Sequence, residues 1–231
     1  MLEADDLNVD QIHDIVSLFG DAAKRAASAG FDGVQIHAAH GFYLSRFLSP
    51  VYNHRQDAYS GRNRNRATIL TDILADIRVK APGLHVTMKI NCSDFVPGGV
   101  KPNDALETIL VTAQAGLDSV EISGNGTSVA GVRAGVDEGY FLPFAKVLKQ
   151  VCDIPVILVG GCRSVEKMNE AVEGDNIDLI SLSRSLIRET ELIQRWEEGN
   201  LAPSKCVSCN GCCRSPGHKC VFVKSGKGKE L

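Results

Sequence analysis

The chain has 231 residues, 44% of them hydrophobic, which is enough to bury a core, and one domain is the default at this length. A net charge of -3 and a pI near 6.1 leave no electrostatic footprint for nucleic acid or an anionic membrane. No apolar run reaches the length of a membrane span, and the opening Met1-Leu-Glu-Ala-Asp-Asp lacks the basic start and apolar core of a signal peptide, so the expectation is a cytoplasmic protein.

Residues 8 to 29 predict a helix, with Ile12, Ile15, Val16, Phe19, Ala23 and Ala26 at helical spacing, Asn8 and Gln11 as a capping pair and Gly30 as terminator. A strand follows to His37, with Val34 and Ile36 on one face and Gly33, Gln35 and His37 on the other. A long loop with few periodic apolars runs to about Asn65, and a helix from about Arg66 to Lys80 ends at Pro82 and Gly83. The strand His85 to Asn91 sets Val86, Met88 and Ile90 against His85, Thr87, Lys89 and Asn91. A helix from about Pro102 to Ala115 leads to the strand Ser119 to Ser123, where Val120 and Ile122 oppose Ser119, Glu121 and Ser123. Strands at Pro155 to Gly161 and Leu179 to Arg184 complete the set, with helices near 140 to 151, 164 to 173 and 185 to 198.

Strand and helix alternating five times means parallel strands with crossover helices. An open doubly wound sheet would bury both strand faces and show continuous apolar runs, whereas most of these strands keep one polar face. The expectation is an α/β fold, a partial TIM (β/α)8 barrel, whose chemistry sits at the C-terminal ends of strands. Residues 1–200 form this incomplete barrel domain, and 201–231 form a Cys-rich tail.

Four constellations carry candidate chemistry. His37 ends its strand and His40 follows one short turn later beside Gly41, so two imidazoles can donate to one oxygen atom. Lys89 sits on the inner face of its strand and needs an anionic partner, for which Glu121 on the next strand is one choice. Gly160, Gly161 and Cys162, followed by Arg163 and Ser164, end a strand in glycines at a helix start, and Ser183 with Arg184 repeats that geometry. Backbone N–H groups and a guanidinium placed so attract a phosphate. In the tail, Cys206, Cys209 and Cys212 form C-x2-C-x2-C with Cys220 beyond, a spacing at which thiolates converge on a metal centre. With no signal peptide, the eight cysteines read as reduced thiols or ligands rather than disulfides.

The run IHAAHG, then FLSP, then N-x-R-x-D-x-Y-x-G and Asn65-Arg66, resembles the Old Yellow Enzyme family of FMN-dependent oxidoreductases, in the branch near 2,4-dienoyl-CoA reductase. The resemblance runs from about Asn8 to Cys220 and begins just before the family's fourth barrel strand, so it implies strands four to eight of the barrel. It implies FMN as cofactor, NAD(P)H as reductant and a small electron-poor alkene as substrate, with His37 and His40 on the substrate's oxygen and hydride passing to its β-carbon. Lys89 matches the position that lies against the flavin, and Gly160, Gly161, Cys162, Ser183 and Arg184 match the phosphate site. The family's proton-donating tyrosine falls here on Phe42, leaving its neighbour Tyr43 as the candidate acid if its hydroxyl points inward. The tail resembles an iron-sulfur segment, a possible 4Fe-4S site, but Cys220 follows Cys212 after seven residues, a shorter gap than the family's. That departure weighs against an intact cluster and leaves zinc and free thiols open. Five units imply a chain that self-associates or pairs with a complementing N-terminal barrel segment. The rival readings are a non-catalytic barrel fragment and a phosphate-binding lyase or isomerase.

Overall fold

The computed structural model describes residues 4–125 and 136–223. Helix α1 (Val9–Ser28) starts at the expected capping box: Asn8 Oδ1 accepts from the Gln11 N–H and Gln11 Oε1 from the Asn8 N–H, both at 2.9 Å. Strand β1 (Gly33–Ala38) is followed by two short helices, α2 (Tyr43–Leu48) and α3 (Asn63–Arg66), then by α4 (Thr68–Lys80). After β2 (His85–Asn91) come α5 (Pro102–Gln114), β3 (Ser119–Ser123), α6 (Leu142–Lys149), β4 (Val156–Leu158), α7 (Val165–Asn169), β5 (Leu179–Ile180), α8 (Arg184–Arg188) and α9 (Leu192–Glu197).

The five strands form one parallel sheet in sequence order, β1 to β5. An unreversed order with helical crossovers is the wall of a (β/α)8 barrel, whereas a doubly wound sheet reverses its order at a switch point. Val86, Met88, Ile90, Val120 and Ile122 are buried with Ile69, Leu70, Ile73, Leu74 and Ile109 of the helices in one core. On the polar face the register sets His37 opposite Lys89 and Lys89 opposite Glu121, one row across three strands.

The expected long loop is partly helical. Leu44, Phe47 and Leu48 of α2 are buried, a pattern too short for periodicity to reveal. The rest of that segment is held by its own polar side chains, among them the residues that carried the family resemblance. Asn53 Nδ2 donates to the carbonyls of Phe47 (2.7 Å) and Tyr59 (2.9 Å), and the Tyr59 hydroxyl donates to Asp72 (2.8 Å). Buried Arg66 donates to the Leu48 carbonyl at 2.6 Å. Side chains thereby satisfy the carbonyls of a buried irregular segment.

The later strands and helices are shorter than expected. β4 stops at Leu158 because Gly160 (φ 124°) and Gly161 (φ 77°) turn the chain out of the extended region. β5 pairs only as far as its short partner allows. The helix expected over 164 to 173 ends at Asn169 and passes into a π-turn, Glu170–Gly174. The helix expected over 185 to 198 breaks at Glu189, which is extended (φ −138°) and accepts from the Lys205 N–H at 2.6 Å.

Candidate functional site

At the C-terminal ends of the strands lies a cavity of about 450 Å³, within the range of small-molecule sites. His40, Lys89, Gly160, Gly161, Cys162, Ser183 and Arg184 all line it. His37 and Tyr43 do not.

His40 adopts a left-handed backbone (φ 63°), uncommon for a residue with a Cβ, and its N–H donates to Asn91 Oδ1 at 3.0 Å. Asn91 sits at the end of β2 and donates in turn to Ser45, Asp94 and Asn125, so this bend is fixed by a buried polar group. His40 Nε2 lies 2.6 Å from Ser123 Oγ at the end of β3. The two rings meet edge to face with centroids 5.3 Å apart, and Phe42 packs on His37 at 5.0 Å. Burial, then the Lys89 charge, lowers the titration of both imidazoles, that of His40 to about 4 despite the opposing Glu121 charge. Both are therefore neutral near pH 7.

Tyr43 lies at the start of α2 with its ring 5.9 Å from Phe47, and its buried hydroxyl has no hydrogen-bond partner among the described residues. Burial pushes its phenol up to about 12. The condition on which Tyr43 was the candidate acid is not met: its ring packs against the core, and Phe42 lines the cavity instead.

Lys89, Arg163 and Arg184 all line the cavity, and their partners differ. Lys89 Nζ binds Glu121 Oε1 at 2.5 Å, and Gln35 holds the other carboxylate oxygen at 2.9 Å. Burial works to raise the Glu121 carboxyl, but bonds from Lys89 and Gln35, the Lys89 charge and a bond from Ser181 outweigh it and leave it below its ordinary value. Buried Arg163 faces Glu138 at 3.8 Å and donates to the Cys206 carbonyl and to Ser208 Oγ (2.7 Å). Glu138 Oε2 also accepts from the N–H groups of Arg163 and Ser164 and from Ser164 Oγ, at 2.9 to 3.1 Å. Arg184 by contrast has only neutral partners among the described residues, Asn210 Oδ1 at 2.6 Å and the Tyr140 hydroxyl at 3.4 Å.

The Tyr140 ring explains the glycines. A Cβ at Gly160 would stand 3.0 Å from the rings of Tyr140 and Phe141, and one at Gly161 would run into the Asp137 carbonyl oxygen. Glu138 precedes the helix expected near 140 to 151 and Tyr140 is its first residue, so neither was marked as a site residue by the sequence, whereas Ser123 was visible as an inward residue at a strand end.

The tail belongs to the cavity wall. Cys206, Ser208 and Cys213 line it, and the Ser204 N–H donates to the Arg163 carbonyl at 2.8 Å. Cys206, Cys209, Cys212 and Cys220 together line a second, smaller cavity beside Arg184. Among the described residues no three His, Cys, Asp or Glu side chains are placed to hold a single metal ion. Burial, with Cys213 and Cys206 nearby, raises the Cys212 thiol.

The sequence pattern of the NADH:flavin oxidoreductase / NADH oxidase family matches residues 2–202. The NADPH dehydrogenase of Clostridium acetobutylicum is 33% identical over 185 residues, 79% of this chain and 54% of that protein. The NADPH dehydrogenase of Geobacillus thermodenitrificans is 35% identical over 177 residues, 77% of this chain and 51% of that protein. The old yellow enzyme homologue of Zymomonas mobilis, at 24% identity, shares the fold with a TM-score of 0.69 over 85% of this chain and 55% of its own. The chain thus spans about half the length of these relatives.

Proposed function

The chain belongs to the NADH:flavin oxidoreductase / NADH oxidase family, and from that premise we propose that its cavity takes FMN, with NAD(P)H as reductant and a small electron-poor alkene as the substrate class. The observation that carries the reading is Arg184, a guanidinium at the glycine-lined end of the cavity whose described partners are all neutral. That donor set fits a phosphate-bearing group: the side chain offers bidentate N–H donors, and Gly160 to Cys162 and Ser183 offer backbone beside it.

Bound FMN would supply the hydride. The chain's own residues would do the rest. Lys89, steadied by Glu121, places positive charge deeper along the same wall. His40, on the cavity wall, and His37, edge to face beside it but off that wall, are neutral imidazoles at the end of β1; His40 is suited to an oxygen on which negative charge develops, and loss of one such donor typically costs roughly 10²-fold or more in rate. Phe42 packs its ring on His37 at that end. With Tyr43 turned to the core, the proton for the alkene's other carbon is left to bulk water or the cavity's hydroxyls.

The tail reading belongs here too. Four thiols line one small cavity, but the short gap from Cys212 to Cys220 weighs against an intact iron-sulfur centre held by Cys206, Cys209, Cys212 and Cys220 and leaves zinc and free thiols as the alternatives.

The test is a pair of fluorescence titrations, with FMN and with riboflavin, on the wild-type chain and Arg184→Ala. A charge-assisted pair of about 1.5 to 3 kcal/mol predicts roughly 10- to 100-fold weaker FMN binding in the variant and little change for riboflavin, which lacks the phosphate. Equal FMN affinity in both proteins would return Arg184 to a structural role.

A further inference from the structure

Two atoms decide what His40 can offer a ligand. Its Nε2 is already in a 2.6 Å contact with Ser123 Oγ, and a neutral imidazole has one proton to place. If that proton were on Nε2, it would be spent on Ser123, and Nδ1 would face outward as a bare acceptor. The Ser123 hydroxyl proton would then need another acceptor. No protein acceptor other than His40 is present among the described residues, and Ser123, although it borders the cavity, is only 2% exposed. If the hydroxyl instead donates to Nε2, the hydroxyl is satisfied and the ring proton sits on Nδ1. That nitrogen has no partner among the described residues, on a residue that lines the cavity.

The frame around the pair is rigid. Asn91 fixes the backbone of His40, and the Ser123 carbonyl accepts from the Cys92 N–H at 2.7 Å, so the ends of β2 and β3 hold both partners. The charged groups near the ring are Lys89 and its partner Glu121, and the Lys89 ammonium disfavours a second proton on the imidazole.

We propose that Ser123 is a positioning residue that fixes the tautomer of His40: its hydroxyl donates to Nε2, the ring proton is held on Nδ1, and Nδ1–H is the donor His40 presents to a ligand oxygen. No bond is made or broken in this arrangement. The ligand half of the inference rests on the flavin-site reading above, and the tautomer half stands without it.

The experiment is two-bond proton–nitrogen correlation on the full chain with nitrogen-15 histidine at neutral pH, the His40 signals being assigned by their loss in His40→Gln. The expected pattern shows a protonated Nδ1 and a bare Nε2. Ser123→Ala should move both nitrogens toward averaged positions, and Ser123→Thr, which keeps the hydroxyl, should restore the wild-type pattern. A protonated Nε2 in the wild type overturns the proposal, as does an unchanged pattern in Ser123→Ala. The wild-type spectrum decides the tautomer even if a variant fails to fold. A failed flavin titration would count against the functional reading and leave the tautomer result intact.

Discussion

His40 combines a left-handed backbone with a ring that titrates near 4, and both have a thermodynamic consequence. In the unfolded chain its imidazole returns to about 6.5, so between those values the unfolded state binds a proton that the folded state refuses. The His40 contribution to stability should therefore fall as pH drops from about 6.5 to about 4 and level off below. His40→Gln, which cannot take up the proton, should lose less over that window. Urea midpoints measured against pH for the two proteins check this, and parallel curves would show that the ring is not held neutral. Lys89 and Glu121 illustrate a different residue-scale point. Alternation along the strands placed Lys89 inward, and the parallel register supplied its counter-charge on the next strand. Tyr43 could not be placed so, because the six-residue α2 decides its direction and that helix leaves too short a pattern to read.

At the scale of elements, β2 and β3 were legible to the residue because each alternates cleanly and ends at a polar inward side chain. The α1 start was legible for a chemical reason, since a capping box is written in two residues three apart. β4 and β5 were overestimated: β4 ends at Leu158, just before Gly160 and Gly161 bend the chain, and β5 pairs only with that short partner, since an apolar run records burial without recording pairing. The tail was legible only as cysteine spacing. That it docks on Arg163 and Arg184 depends on Ser208 and Asn210, which carry no positional signal. If the four thiols around the small cavity hold an iron-sulfur centre, anaerobic purification should yield iron and sulfide in stoichiometric amounts, lost in Cys206→Ser. Zinc without sulfide, or no metal, would refute that assignment.

For the molecule as a whole, the sheet has two strands that pair on one side only among the described residues, β1 and β5. Leu179 of β5 is 53% exposed, and Phe31, just before β1, is 65% exposed. Unpaired strand edges recruit other strands, so the isolated chain should self-associate, or pair with a segment that completes the barrel wall. Sedimentation velocity across a concentration series checks this, and a concentration-independent monomer would contradict it. The partnering of the cavity's cations has a kinetic consequence at this scale. Lys89 and Arg163 face carboxylates, and Arg184 faces none among the described residues, while the chain as a whole carries -3. A phosphate ligand is thus weakly repelled at a distance and held at contact, so arrival and residence answer to different charges. Added salt would screen the distant field and the Arg184 contact together, quickening arrival while shortening residence.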